Sequence, residues 1–185
     1  MPQERTRKIV VGGILAAITI FLGITRWGFI LWPTGVSITI MAVPVIIAAV
    51  LEGPVVGLLV GLIFGVFSLI QAAVAPNGPG DLVFTNPLLS VLPRLFIGPA
   101  AWLVWSALQR WPVVGLVAAG IAGSLTNTIL VLGMFGVLGL APWSLVATVA
   151  ISNGLPELAV SAALVLLVAG AWKQIEFGRR KGSNL

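Results

Sequence analysis

The chain has 185 residues, of which 59% are hydrophobic and only 8% charged, with a mean hydropathy of +1.14. A soluble domain is roughly a quarter charged, so this chain has too few charges to cover a water-facing surface, and the composition requires lipid as solvent. It has no Cys and no His, and its net charge is +5. These exclude disulfides, thiolate nucleophiles, haem and most zinc and copper sites, and the basic residues sit at the chain ends as membrane orientation signals, not as a nucleic-acid footprint.

At about 20 residues per span the length accommodates about six crossings. The apolar runs are continuous and do not alternate, which predicts helices and not a barrel. The first span is expected over residues 9–25. Arg5, Arg7 and Lys8 before it resemble the start of a signal peptide. No small-x-small cleavage site precedes Arg26 and Trp27, so a retained first helix is expected. A loop with Trp27, Trp32, Pro33 and Gly35 leads to a second span over 38–51, short for a full crossing. The turn Glu52-Gly53-Pro54 opens a third span over 55–74. The stretch 75–87 (APNGPGDLVFTNP) is the most polar, and its Pro and Gly predict an absence of regular structure. The remaining spans are expected over 88–108, 113–138 and 144–172, with a basic cytoplasmic tail over 173–185. The expectation is one all-α transmembrane domain of six helices.

With the N-terminus inside, the inner segments hold Arg5, Arg7, Lys8, Arg110, Lys173, Arg179, Arg180 and Lys181, and the outer segments hold only Arg26, with Asp81 also outside. That asymmetry sets both termini in the cytoplasm and requires an even number of crossings. Trp27, Trp32, Trp111, Trp143 and Trp172 fall at expected interfaces, as an aromatic belt does.

Few polar residues lie inside the spans. Arg94 is about six residues below the outer end of the fourth span, a depth of roughly 9 Å. Asn127 lies in the outer half of the fifth span. Asn153 and Glu157 are four apart in the sixth and share a face. Gln71 is one turn from the outer end of the third, and Asn86 sits where the polar loop enters the fourth. All but Glu157 fall in the outer third, with Glu157 nearer the midplane. An ionised group in the bilayer costs about 2.5 kcal/mol or more and by default marks function. Two compatible arrangements are open: Arg94 and Glu157 pair and lock two helices together, or these residues line a pocket open to the outside. Four helices contributing polar groups at a common depth favours the pocket.

The first span also carries two overlapping small-xxx-small pairs, Gly12/Ala16 and Gly13/Ala17, which permit close helix approach either to a partner or within the bundle. Gly57, Gly61 and Gly65 form a similar stripe on the third. Without His there is no Ser-His dyad, and no Lys lies inside a span to form a Ser-Lys dyad. There is no P-loop, no paired-carboxylate motif for a divalent metal, and no evident inverted repeat. A catalytic role, a metal site and a bound cofactor are therefore not expected.

Several strings resemble the substrate-binding S components of energy-coupling factor (ECF) vitamin transporters: 40–53 (IMAVPVIIAAVLEG), 53–65 (GPVVGLLVGLIFG), 86–98 (NPLLSVLPRLFIG), 123–133 (GSLTNTILVLG) and 153–159 (NGLPELA). They occur in the family's order, and within it they look most like the pantothenate-type members. The resemblance implies a six-helix S-component bundle in a bacterial or archaeal cell membrane. It also implies a vitamin ligand held near the outer face under the loop between the first two helices. The implied partners are a transmembrane coupling subunit and a pair of cytoplasmic ATPases, which would hydrolyse the ATP. Such subunits are thought to tip over in the membrane to carry ligand inward. The family's small-residue face on the first helix, which contacts the coupling subunit, corresponds to Gly12, Gly13, Ala16 and Ala17, although this chain has Gly where the family often has Ala. For an anion such as pantothenate, Arg94 suits the carboxylate, Asn127, Asn153 and Gln71 suit its amide and hydroxyls, and Trp27 and Trp32 are placed to close over it. Glu157 beside an anion is unfavourable unless Arg94 neutralises it. A neutral or cationic vitamin, or a structural protein whose polar groups only join helices, stays open as an alternative.

Overall fold

A computed structural model describes residues 2–30, 38–76 and 79–174. The elements are α1 (Pro2–Ile24), β1 (Phe29–Ile30), β2 (Ile38–Thr39), α2 (Ala42–Glu52), α3 (Pro54–Val74), a 3-10 turn (Pro79–Thr85), α4 (Pro87–Ser90), α5 (Leu92–Ala107), α6 (Pro112–Val137) and α7 (Trp143–Trp172). Five stretches are long and apolar enough to cross a membrane: α1, α3, α4 with α5, α6 and α7. The chain is thus an all-helical, multi-pass membrane bundle, with α2 as a shorter sixth apolar helix.

α2 has 11 residues, a length of about 16 Å, roughly half the hydrocarbon thickness. It is buried on every side, as a helix apolar all round must be. It packs on α1, α3, α5, α6 and α7, which form an arc around it. Its first expected residues, 38 and 39, leave the helix to pair antiparallel with 29 and 30, making a two-stranded hairpin that rests against α7. At the other end Gly53 supplies a φ of 99°, which only Gly adopts without strain, and Pro54 begins α3 where no helical N–H is needed.

α3 and α5 meet backbone to backbone. A Cβ on Gly57 would lie 3.1 Å from Gly98 Cα, and one on Gly61 only 2.2 Å from the Arg94 carbonyl oxygen. The stripe at spacing four is therefore an internal seam, where small residues supply the close packing that holds helices in lipid. The expected absence of regular structure over 75–87 is corrected. Pro79 opens a 3-10 turn, and Asn86 caps α4 by accepting from the Leu88 N–H at 3.0 Å. Pro fixes φ near the helical value, so it starts such turns as readily as it breaks longer helices.

At the end that the charge pattern assigns to the cytoplasm, α1 extends further than expected, through Arg7. That residue reaches the buried carboxylate of Glu52, Nε to Oε1 2.8 Å. Lys173, at the end of α7, stacks its ammonium over the Trp105 ring at 4.9 Å. Burial holds the Lys173 ammonium below its ordinary pKa. Repulsion from Arg7 adds to this, and attraction to Glu52 partly offsets it. The tail residues beyond 174 lie outside the described residues.

Candidate functional site

Arg94 is 6% exposed on the inner face of α5. Its guanidinium is held between two rings, Cζ 5.3 Å from the Phe64 centroid on α3 and 5.1 Å from the Phe84 centroid on the 3-10 turn. Phe84 in turn meets Phe135 of α6, with centroids 5.8 Å apart. One guanidinium nitrogen donates to the Leu89 carbonyl. The Nε–H has no acceptor among the described residues. A cation stacked on aromatic faces is stabilised by the ring quadrupoles, but its positive charge is not neutralised there.

Below Arg94, α6 and α7 face each other with polar groups. Ser124, Asn127, Asn153, Glu157 and Ser161 are all buried, whereas their neighbours Ile121, Leu125, Ile151 and Leu155 face outward. The pattern follows from helical periodicity: 153, 157 and 161 are one turn apart, and so nearly are 124 and 127. A Cβ on Gly120 would lie 2.8 Å from Ala162 Cα, and one on Gly154 would lie 3.8 Å from Thr128 Cγ2. Midway between these contacts, Ser124 is level with Glu157, and Asn127 is one turn further out, between Asn153 and Glu157. Arg94 is further out again. A Cβ on Gly123 would be 3.3 Å from that of Ala101, and Arg94 precedes Ala101 by two turns, a rise of roughly 10 Å.

The polar groups thus form a ladder running inward from Arg94 to Ser161. Its members are largely unsatisfied: Ser124 Oγ, Asn127 Oδ1, Glu157 Oε1 and Ser161 Oγ find no hydrogen-bond partner among the described residues. Asn153 accepts from the Ser152 hydroxyl at 3.2 Å. Arg94 and Glu157 feel each other's charge, yet the ion pair expected between them as one alternative is not formed. A buried polar group left unpaired loses about 1–3 kcal/mol, more if charged, so this cluster is the candidate binding site of the chain.

Other expected site residues are used differently. Gln71 donates from Nε2 to the Gly23 carbonyl at 3.4 Å and ties α3 to the end of α1. Asn86 is exposed and serves as the α4 cap. Trp27 is 74% exposed beyond α1, and Trp32 lies outside the described residues. The small-residue face of α1 divides in two. Ala16 is buried, and a Cβ on Gly12 would meet Val56 of α3 at 2.9 Å, so this pair packs inside the bundle. Gly13 has nothing within 4 Å of its would-be Cβ, and Ala17 is exposed, so this pair faces outward. Sequence reasoning missed Phe64, Phe84, Phe135, Ser124 and Ser161. Only the spacing of the serines from Asn127 and Glu157 offered a signal.

Two shallow grooves, of about 390 and 460 Å³, lie on the lipid-facing seams between α6 and α7 and between α5 and α6. Leu125 and Ile129 line both. They are apolar and separate from the ladder.

A membrane bundle with a buried, uncompensated cation and unsatisfied acceptors toward one face is the architecture of a solute-binding membrane protein. The chain belongs to the ECF transporter, substrate-specific component family, whose pattern matches residues 7–169. It is 31% identical over 117 residues to the pantothenate transporter PanT of Leuconostoc mesenteroides, an alignment covering 60% of this chain and 55% of that protein. The chain thus spans about half the length of that relative. It is 25% identical over 191 aligned positions to the pantothenic acid transporter PanT of Lactococcus lactis, covering 92% of this chain and 96% of that protein.

Proposed function

We propose that this chain is the high-affinity substrate-binding subunit of an ECF-type importer, and that its vitamin is pantothenate. The observation that carries the reading is Arg94, buried between Phe64 and Phe84 with its Nε–H unsatisfied. An anionic ligand supplies the missing acceptor. Arg presents a planar fork suited to a carboxylate, and a ring on either side excludes water and strengthens the pair. Two relatives named as pantothenate or pantothenic acid transporters support the identity of that anion. Asn127, Asn153 and Glu157 serve the ligand's amide and hydroxyls.

The partners are a transmembrane coupling subunit and two cytoplasmic ATPases, which supply the energy. The outward pair Gly13 and Ala17 is the face of α1 on which a partner helix approaches closely.

The test begins with the protein purified in detergent without added vitamin. It is denatured, and the supernatant is examined by mass spectrometry. Emptied protein is then titrated with pantothenate by calorimetry. Copurified pantothenate and saturable binding at one site per chain are expected. A different vitamin in the supernatant, with no heat from pantothenate, replaces the ligand. No small molecule and no binding by any vitamin leaves a protein whose polar groups only join helices.

A further inference from the structure

Resting on that reading, the arrangement of the unsatisfied atoms fixes which way round the ligand lies. The outer end of the ladder offers donors: the Arg94 guanidinium. The inner part offers oxygens: Asn127 Oδ1, Glu157 Oε1, and the hydroxyls of Ser124 and Ser161. All four residues are more than nine-tenths buried, and each of these oxygens lacks a donor among the described residues. An acceptor-rich recess calls for an occupant rich in O–H and N–H.

Pantothenate has that polarity. One end is a carboxylate, the middle is an amide, and the other end carries two hydroxyls. Fully extended, the chain from its carboxylate carbon to its terminal carbinol carbon reaches about 9 Å, at roughly 1.25 Å of advance per bond. The Arg94 backbone is about 9 Å outward of the level shared by Ser124 and Glu157, by helical rise from the Gly123–Ala101 contact. The ladder runs in the same order of chemistry as the ligand, and the rise between its backbone levels is comparable to the ligand's length.

We infer that pantothenate stands along the bundle axis, with its carboxylate outermost on Arg94 and its hydroxylated end inward, where Glu157, Ser124 and Asn127 accept from it. Ser124 becomes a specificity residue, which the sequence reading did not single out, whereas Ser161, one turn further inward, lies beyond the ligand's end. The separation also resolves the conflict between Glu157 and an anionic ligand. Glu157 faces the hydroxyls, the carboxylate is a ligand's length away, and Arg94 stands beside it.

The experiment uses the full chain in detergent and three probes: pantothenate, panthenol (an alcohol in place of the carboxylate), and the dideoxy analogue with hydrogen in place of both hydroxyls. The variants are Glu157→Gln, Ser124→Ala, Ser161→Ala and Arg94→Ala, each checked for thermal unfolding. Glu157→Gln is expected to weaken pantothenate by ~10–100-fold, the equivalent of one hydrogen bond to a charged group, and Ser124→Ala by ~3–10-fold. Both should leave affinity for the dideoxy analogue nearly unchanged. Arg94→Ala is expected to erase the preference for pantothenate over panthenol and keep the preference over the dideoxy analogue. Ser124→Ala, a smaller change, stands in for Glu157→Gln should that variant not fold, and Ser161→Ala, beyond the ligand's reach, should change the affinity for none of the probes. If the pattern swaps, with Arg94→Ala erasing the hydroxyl preference and the inner variants erasing the carboxylate preference, the orientation is overturned while pantothenate binding stands. If binding requires sodium and fails in choline, the inner oxygens hold a cation, and the inference is overturned. If wild type binds none of the three probes, the reading it rests on falls and takes the inference with it.

Discussion

The protein contains two Arg–Glu couples, and it treats them in opposite ways. At the inner end Arg7 and Glu52 touch at 2.8 Å, and the arginine is more than half exposed while the carboxylate is 3% exposed. In the outer half Arg94 and Glu157 are both buried, are held on different helices, and are left apart with an unsatisfied atom on each. The first couple is complete and joins α1 to the α2–α3 turn across 45 residues of sequence. The second is left open, with no hydrogen bond between its members among the described residues. The closed pair is an element of construction, and on the proposed reading the open pair is an element of recognition. The contrast matters because leaving two charged groups buried and unpaired is destabilising, a cost that on the proposed reading a bound anion offsets.

The sharpest way to break the comparison is Arg94→Ala. Removing one partner of a buried charge pair costs roughly 2–5 kcal/mol of binding, so pantothenate affinity read by calorimetry should fall by ~30–4,000-fold. Thermal unfolding is read alongside, because the variant also removes the contacts to the Leu89 carbonyl and to the Phe64 and Phe84 rings and leaves buried Glu157 without its nearby cation. Unchanged affinity would make Arg94 a structural residue and reduce the two couples to the same kind. A second variant pair probes the division of α1. Ala16→Trp forces a large ring into a packed seam and should destabilise the isolated chain by about 1–3 kcal/mol or more, read as thermal unfolding in detergent. Gly13→Trp should leave both unfolding and ligand affinity near wild type while preventing copurification with the coupling subunit. Loss of ligand binding in Gly13→Trp would show that the outward face of α1 and the ligand site are not independent. The smallest effect is expected at the closed couple. Arg7→Ala leaves the Glu52 carboxylate buried without its ion-pair partner, with Lys173 the remaining nearby cation among the described residues, and should lower stability by roughly 1–2 kcal/mol, discounted because Arg7 is largely solvated. Glu52→Gln, which removes the buried charge and keeps the shape, should be milder. Neither should change ligand affinity, and a tenfold change in either would mean that the two ends are coupled.

What could be read in the sequence followed from rarity. Arg94, Asn127 and Glu157 stand out because ionisable and amide side chains are scarce in apolar spans, and the structure buries all three. Ser124 and Ser161 do not stand out, because serine is common in membrane helices and bonds to its own backbone as readily as to anything else. Phe64 and Phe84 look like any lipid-facing phenylalanine until a guanidinium lies between them. Gln71 and Asn86 sit at the right depth but satisfy backbone groups, a use that spacing alone does not distinguish from ligand contact. The two small-residue pairs on α1 look alike in sequence, and only the placement of Val56 separates the inner pair from the outer. The Arg7–Glu52 contact was unreadable, since nothing local to either residue points to the other.

The shortness of α2 has a consequence for the membrane barrier itself. Val45, in its first turn, lies against the Gly61–Arg94 contact, so the helix begins only about one turn outward of Arg94, and the described residues just above it, 38–41, are strand and turn, not helix. Non-helical backbone at hydrocarbon depth survives only where protein covers it or water reaches it. The insulating layer is therefore thinned on this side, and on the proposed reading a solute resting on the ladder has left bulk water and already travelled well into the low-dielectric slab. What separates it from the cytoplasm is the remaining, inner thickness, where α2 runs full and apolar down to Glu52. The work left for an energy source is to breach half a membrane.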